Sequence, residues 1–463
     1  MENYSDLIYQ TFNFPNKDFD VEKQQLLFHG IPLMEMVEQY GTPLKFTYLP
    51  NIGEKIELAN TLFKKAIEEN NYQGKHIYSY CTKSSHYRFV LDKVLAHGSH
   101  IETSSAFDIA IINNLFEQKK IDKDIYILCN GFKRPLYLEY IAKLINKGFH
   151  NCVPILDNTT EVEFYKKHIT QNYQVGIRVA AEEEPNFEFY TSRLGIRYKD
   201  VVPFYEQKLA NEKNIKLKML HYFINTGIKD TAYYWNELNK FIYKYCELKK
   251  QCPELDSIDI GGGLPIKTSL SFEYDFEYMI GEIVRNIKQI CDEEGVEVPN
   301  IFTEFGAYTV AESSATIYSV LDQKLQNDKE LWYMIDGSFI THLPDTWGIN
   351  QRFILLPINQ WEKPYHKVNL GGLTCDSQDY YNADTHSAKI FLPKIAKDEP
   401  LYLGFFNTGA YQEALGGVGG IQHCLIPSPK HILVDRGKDN QFSYSLFCEE
   451  QNEASMLTTL GYV

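Results

Sequence analysis

The sequence predicts an eight-stranded parallel α/β barrel joined to a C-terminal, mostly antiparallel β domain. Three observations point there. Short apolar runs alternate with longer amphipathic segments from about Lys45 to Glu304, which is the pattern of a (β/α)8 barrel. After Val310 the helical periodicity gives way to alternating, aromatic runs separated by turn residues, as in antiparallel sheet. At 463 residues the chain exceeds one ordinary core, so two domains are the default.

In chain order, residues 1–45 fall outside the barrel count and are assigned to the β domain, to which they can add a strand. Residues 46–310 form the barrel. A helix over Ile52–Asn70 precedes the candidate strands His76–Cys81, His100–Thr103, Ile125–Cys129, Val153–Asp157, Val175–Val179, Lys218–Ile224, Ser257–Ile260 and Asn300–Glu304. Between them lie the helical patterns Arg88–Leu95, Ala106–Gln118, Pro135–Asn146, Thr160–Ile169, Thr231–Cys246 and Tyr274–Glu293. An open doubly wound sheet has the same alternation, and strand counting alone does not separate the two. Residues 311–463 form the β domain, with strand candidates Ala315–Leu321, Leu331–Ile335, Phe353–Ile358, Lys367–Leu373, Leu401–Phe406, His431–Val434 and Phe442–Phe447.

Composition narrows the function. The net charge is -15, from 46 basic and 61 acidic residues, and no long basic run occurs. Nucleic acid and anionic membrane are therefore poor partners, while an acidic field suits a cationic substrate. The nine cysteines are scattered, with no CxxC and no His/Cys ligand spacing, which predicts reduced thiols and no metal site. Met1–Asp6 lacks the basic and apolar regions of a signal peptide, and no stretch approaches the ~20 apolar residues of a membrane span. The expectation is a cytoplasmic protein.

Polar or glycine residues mark the C-terminal ends of the candidate barrel strands, where barrel enzymes place their chemistry. They are Lys83, Glu102, Asn130-Gly131, Asn225-Thr226-Gly227, Gly261-Gly262-Gly263 and Glu304. Lys83 ends an apolar, aromatic strand, where an unpaired ammonium is costly to desolvate; a lysine with a depressed pKa suits Schiff-base chemistry with an aldehyde. Taken alone, it would more often be a lysine snorkelling to the surface. An aldehyde cofactor bearing a phosphate also needs a carboxylate at its pyridine nitrogen and an anion site of backbone amides. Glu304 and Gly261-Gly262-Gly263 can supply these. A lone glycine run is usually a tight turn, and a lone strand-end glutamate is usually structural. The shared rim is what joins them. Glu102 can orient Lys83 or line the pocket, and the acidic run Glu182-Glu183-Glu184 is assigned no role.

These residues resemble a family. Tyr80-Cys81-Thr82-Lys83, Ile258-Asp259-Ile260-Gly261-Gly262-Gly263, Thr303-Glu304-Phe305-Gly306, Thr374-Cys375-Asp376-Ser377 and Gly409-Ala410-Tyr411 occur in the order found in the pyridoxal-phosphate-dependent decarboxylases of basic amino acids, built on an alanine-racemase-like barrel. The resemblance implies pyridoxal 5'-phosphate as cofactor, a homodimer with shared active sites, and a small cationic amino acid as substrate. It implies Lys83 as the cofactor lysine, Glu304 at the ring nitrogen, Gly261, Gly262, Gly263 and Tyr411 at the phosphate, and Cys375 as proton donor across the dimer interface. Asp345 and Asp376 match positions facing the substrate's distal group, though turn or cap roles are commoner for aspartate. Cys129-Asn130-Gly131-Phe132-Lys133, Leu343–Gln351 and Gly409-Ala410-Tyr411-Gln412-Glu413 resemble biosynthetic arginine decarboxylases in particular, which implies agmatine formation for polyamine synthesis.

Two positions depart from the family. Phe223 stands where a histidine stacks on the ring, with Thr226 at the phosphate-contacting serine. Ala307 stands where arginine usually faces the phosphate, which predicts weaker cofactor retention. The alternatives are a decarboxylase of diaminopimelate, lysine, ornithine or carboxynorspermidine, and a silent homologue that binds an active partner. An amino acid racemase is disfavoured by Glu304 and the Thr374–Ser377 segment.

Overall fold

The computed structural model describes residues 16–182, 192–326, 328–381 and 390–463. Met1–Asp6 and two of the three residues in Glu182-Glu183-Glu184 lie outside them. The described residues divide into two compact units, one drawn from Ile52–Pro265 with Tyr274–Thr309, the other from residues 16–51, Ile266–Glu273 and Val310–Val463. Residues 46–51 and 266–273, inside the expected barrel segment, thus group with the β unit.

The first unit is a closed barrel. Its strands are β1 (His76–Cys81), β2 (His100–Thr103), β3 (Ile127–Cys129), β4 (Cys152–Leu156), β5 (Tyr173–Ala180), β6 (Ile215–His221), β7 (Ser257–Asp259) and β8 (Asn300–Glu304). Each pairs in parallel with the next, and β8 returns to β1 with Ile301 opposite His76 and Glu304 opposite Ser79. That closing pair excludes the open doubly wound sheet. Leu128, Val153, Ile155, Met219 and Phe302 pack together as a buried apolar cluster. Gly176 leaves little room there: a Cβ would lie 2.6 Å from Ile155 Cδ1 and 2.9 Å from Met219 Cγ, so both side chains would have to shift.

The helices start where short polar side chains can satisfy first-turn amides. Ser105 accepts from Asp108, Thr231 from Tyr234 and Asp275 from Tyr278. One helix, Tyr198–Lys208, was not among the sequence expectations; it carries Pro203 in its interior, which breaks the helical pattern on which such an expectation rests.

In the β unit the long strand Ser314–Gln326 is central. It pairs with Glu330–Ile335, Tyr402–Phe406 and Leu44–Tyr48, all antiparallel. Leu44–Tyr48 lies between it and Lys430–Val434, with which it pairs in parallel. A second parallel pairing joins Trp332–Met334 to Asn369–Gly371, so the sheet is antiparallel in the main. Two apolar clusters fill the unit, one around Phe28, Phe46 and Phe406, the other around Tyr333, Phe339 and Phe405. Among the described residues no helix is long and apolar enough to cross a membrane.

Candidate active site

The C-terminal ends of the barrel strands carry one connected polar network. Lys83 sits in a short 3-10 turn, Thr82–Ser84, just past β1. Its side chain is 43 % exposed, and Nζ lies 2.9 Å from Oε2 of buried Glu102 at the end of β2. Of the two roles open to Glu102, the fold provides the pairing with Lys83, whose ammonium is only partly desolvated. Burial raises the Glu102 pKa, and the Lys83 ammonium pulls it back.

Glu304, the last residue of β8, is 4 % exposed. Asn130 Nδ2, just past β3, reaches its two carboxylate oxygens at 3.2 and 3.4 Å, and His221 Nε2, the last residue of β6, reaches Oε2 at 3.2 Å. Burial would raise the Glu304 pKa, but His221 and Lys83 outweigh it and hold the carboxyl at about 2. Burial dominates at His221 itself and lowers its pKa, and its Nε2 also lies 3.0 Å from Asn130 Nδ2, so the three side chains form one contact set. Asp259 at the end of β7 shows the opposite response: burial and the nearby Glu304 carboxylate push it well above the ordinary carboxyl value. The two buried carboxyls are thus shifted in opposite directions, Glu304 down and Asp259 up.

The glycine run after β7 is tightly confined. Gly261 and Gly263 have φ of +69° and +109°, conformations that disfavour side chains. A Cβ on Gly261 would lie 2.8 Å from Tyr222 O, and one on Gly262 would lie 2.4 Å from Glu304 O. Phe223 flanks this turn, its Cδ2 3.4 Å from the Gly261 Cβ position, and is 39 % exposed. Thr226 Oγ1 is buried without a hydrogen-bond partner among the described residues. Gly306 packs against the Lys83 turn, where a Cβ would meet Ser84 Oγ at 2.1 Å, and Ala307 opens a short helix to Val310. Lys83, Phe223, Thr226, Gly261, Gly262, Gly263 and Glu304 are therefore neighbours on one rim of one unit.

The other predicted residues lie in the β unit. Asp345 is buried, accepts a 2.6 Å hydrogen bond from Gln412 Nε2, and has a pKa raised by burial against that bond. Asp376 is exposed and accepts from Gln378 N at 2.7 Å, the turn-stabilising role open to any aspartate. Exposed Cys375 has its Sγ 3.5 Å from that of Cys424. Tyr411 takes the left-handed conformation, φ +68°, immediately before helix Gln412–Gly416.

Sequence reasoning assigned no role to Asn130, His221 or Asp259, although they hold or oppose Glu304. Their signal was positional: each ends or directly follows a barrel strand, as Lys83 and Glu304 do.

The sequence profile of the pyridoxal-dependent decarboxylase pyridoxal-binding domain matches residues 54–311. A biosynthetic arginine decarboxylase of Prochlorococcus marinus (strain AS9601) is 25 % identical, over 96 % of this chain and 86 % of that one. The crystal structure of the biosynthetic arginine decarboxylase of Campylobacter jejuni superposes with a TM-score of 0.81 at 19 % identity, covering 100 % of this chain and 91 % of the other. Diaminopimelate decarboxylase from M. jannaschii, solved with L-lysine, gives 0.78 at 18 % identity, covering 96 % and 97 %. On a match spanning more than half of its length, the chain belongs to the pyridoxal-dependent decarboxylases.

Proposed function

We propose that the chain decarboxylates L-arginine to agmatine and CO2, in the cytoplasm, as a homodimer whose active sites are shared between subunits. The observation that carries the substrate is the match to an arginine decarboxylase along 96 % of the chain, together with Leu343–Gln351 and Gly409–Glu413, which resemble that enzyme type.

The barrel rim fits pyridoxal phosphate. A glycine turn that admits no Cβ and a buried, unpartnered Thr226 hydroxyl suit a phosphate, and ionised Glu304 suits a pyridinium nitrogen. When bound, the cofactor supplies an aldehyde carbon that condenses with an amine and a ring that accepts the electron pair left by a departing carboxylate. Lys83 provides the amine, and Glu102 steers it and can take its proton. Glu304 holds the ring nitrogen's proton in place, with Asn130 and His221 fixing its carboxylate. Phe223 offers an apolar face in place of the family's histidine. By the family resemblance, Tyr411 serves the phosphate, Asp345 and Asp376 the distal guanidinium, and Cys375 delivers the final proton across the dimer interface. The neighbouring Cys424 thiol raises the Cys375 pKa, the direction a proton donor needs.

The test is a panel of L-arginine, L-ornithine, L-lysine and meso-diaminopimelate given to cofactor-loaded protein, with CO2 and amine followed together. Agmatine from arginine alone supports the proposal. Preferred turnover of another amino acid keeps the chemistry and overturns the substrate.

A further inference from the structure

Cys375 and Cys424 are 49 residues apart in sequence, yet their sulfurs stand 3.5 Å apart on the surface of the β unit. His423 joins them. One donor atom from each of the three lies within 4.8 Å of the other two, and all three residues are exposed. Two thiols and an imidazole are the donor set of soft or borderline transition-metal ions. Bond lengths of about 2.3 Å to sulfur and about 2.0 Å to nitrogen place the sulfurs of a tetrahedral zinc site about 3.8 Å apart. The observed separation needs an adjustment of a few tenths of an ångström.

Side-chain hydrogen bonds tie down both segments. The Cys375 turn is tied to Asp379, which is 5 % exposed and accepts from Thr374 N at 3.0 Å, Thr374 Oγ1 at 2.7 Å and Phe339 N at 2.8 Å. Cys424 and Leu425 are consecutive non-glycine residues in the left-handed region, each at φ +53°. Such backbone is disfavoured for L-residues and clusters at functional sites. The side chain of Gln422 anchors this turn by donating to Gly416 O at 3.0 Å.

We propose that Cys375, His423 and Cys424 form a three-ligand site for a soft or borderline divalent transition-metal ion such as zinc, with water as the fourth ligand. Binding releases the thiol protons, because the thiolate is the ligand. The site stands independently of the substrate assignment. Its consequence rests on the proposed role of Cys375: metal holds that sulfur as a thiolate, removes the proton it would deliver, and so inhibits turnover.

The reduced, cofactor-loaded full chain would be titrated with Co2+ without air and then with Zn2+. One equivalent per chain, with thiolate-to-cobalt charge-transfer and tetrahedral d–d bands that zinc abolishes, is the expected result. Cys424→Ser is expected to lower the charge-transfer intensity by about half, and His423→Ala to weaken binding tenfold or more. The absence of these bands, or identical bands in a Cys375→Ser/Cys424→Ser double variant, overturns the site. So does a thiol count showing that the pair closes to a disulfide and takes no metal. Full binding with unchanged turnover upholds the site and contradicts the proton-donor role of Cys375.

Discussion

Gly262→Ala probes the barrel rim at its tightest point. The new Cβ would lie 2.4 Å from Glu304 O, against an ordinary contact that begins at 3.4 Å, an intrusion of 1.0 Å (3.4 minus 2.4). That oxygen cannot yield alone. It accepts from Cys81 Sγ at 3.1 Å, and β8 is paired to β7 and β1 on its two sides, with Glu304 N donating to Gly261 O at 2.9 Å. The displacement therefore passes to the Glu304 carboxylate, whose contacts at 3.2–3.4 Å to Asn130 and His221 it would open. Overpacking of this kind costs about 1–3 kcal/mol, and misplacing a reacting group by ~1 Å costs on the order of 10²-fold in rate. Gly281→Ala is the matched control, because this glycine lies within helix Phe276–Glu294 with nothing within 4 Å of its Cβ position. That change should stabilise by about 0.5–1 kcal/mol. Thermal midpoint, cofactor content and CO2 release would be measured for both variants. A Gly262→Ala protein that unfolds, loads cofactor and turns over like wild type refutes the reasoning.

Three further outcomes are expected. Lys133→Met leaves Glu161 buried and unpaired, since their ion pair is 3.0 Å long with both side chains at most 3 % exposed; the loss should be about 3–5 kcal/mol, read as a lowered thermal midpoint. Asp259→Asn mimics the protonated acid. The folded pKa of Asp259 is raised, so wild-type stability falls as pH rises through and above its unfolded value, about 4. The variant loses that slope, and its advantage in thermal midpoint should grow with pH. Ala307→Arg restores a charge-assisted phosphate contact of about 1.5–3 kcal/mol, which should tighten cofactor retention on dialysis roughly 10- to 100-fold; unchanged retention counts against the phosphate lying beside Ala307.

The eight barrel strands were legible because parallel strands are buried on both faces and read as continuous apolar runs. Helix Tyr198–Lys208 was not, because Pro203 breaks its pattern. Strand Leu44–Tyr48 was expected only loosely, since its partners begin at Ser314 and Lys430 and nothing local specifies such distant pairing. At the site, Lys83, Glu304 and the glycine run stood out as polar or flexible residues at strand ends. The opposite pKa shifts of Glu304 and Asp259 did not, because they depend on which carboxylate faces His221 and Asn130. For the same reason the Lys83–Glu102 pair remained one of two options until the geometry chose it. The Cys375–Cys424 approach left no spacing signal at all.

The position of the cofactor on the chain tests the assignment of Lys83 most directly. Protein loaded with pyridoxal phosphate would be treated with sodium borohydride, digested, and its peptides mapped by mass. One labelled lysine, Lys83, and no label in Lys83→Ala is the expected result. Label on another lysine, such as Lys45 or Lys133, would contradict it, as would undiminished labelling of the variant.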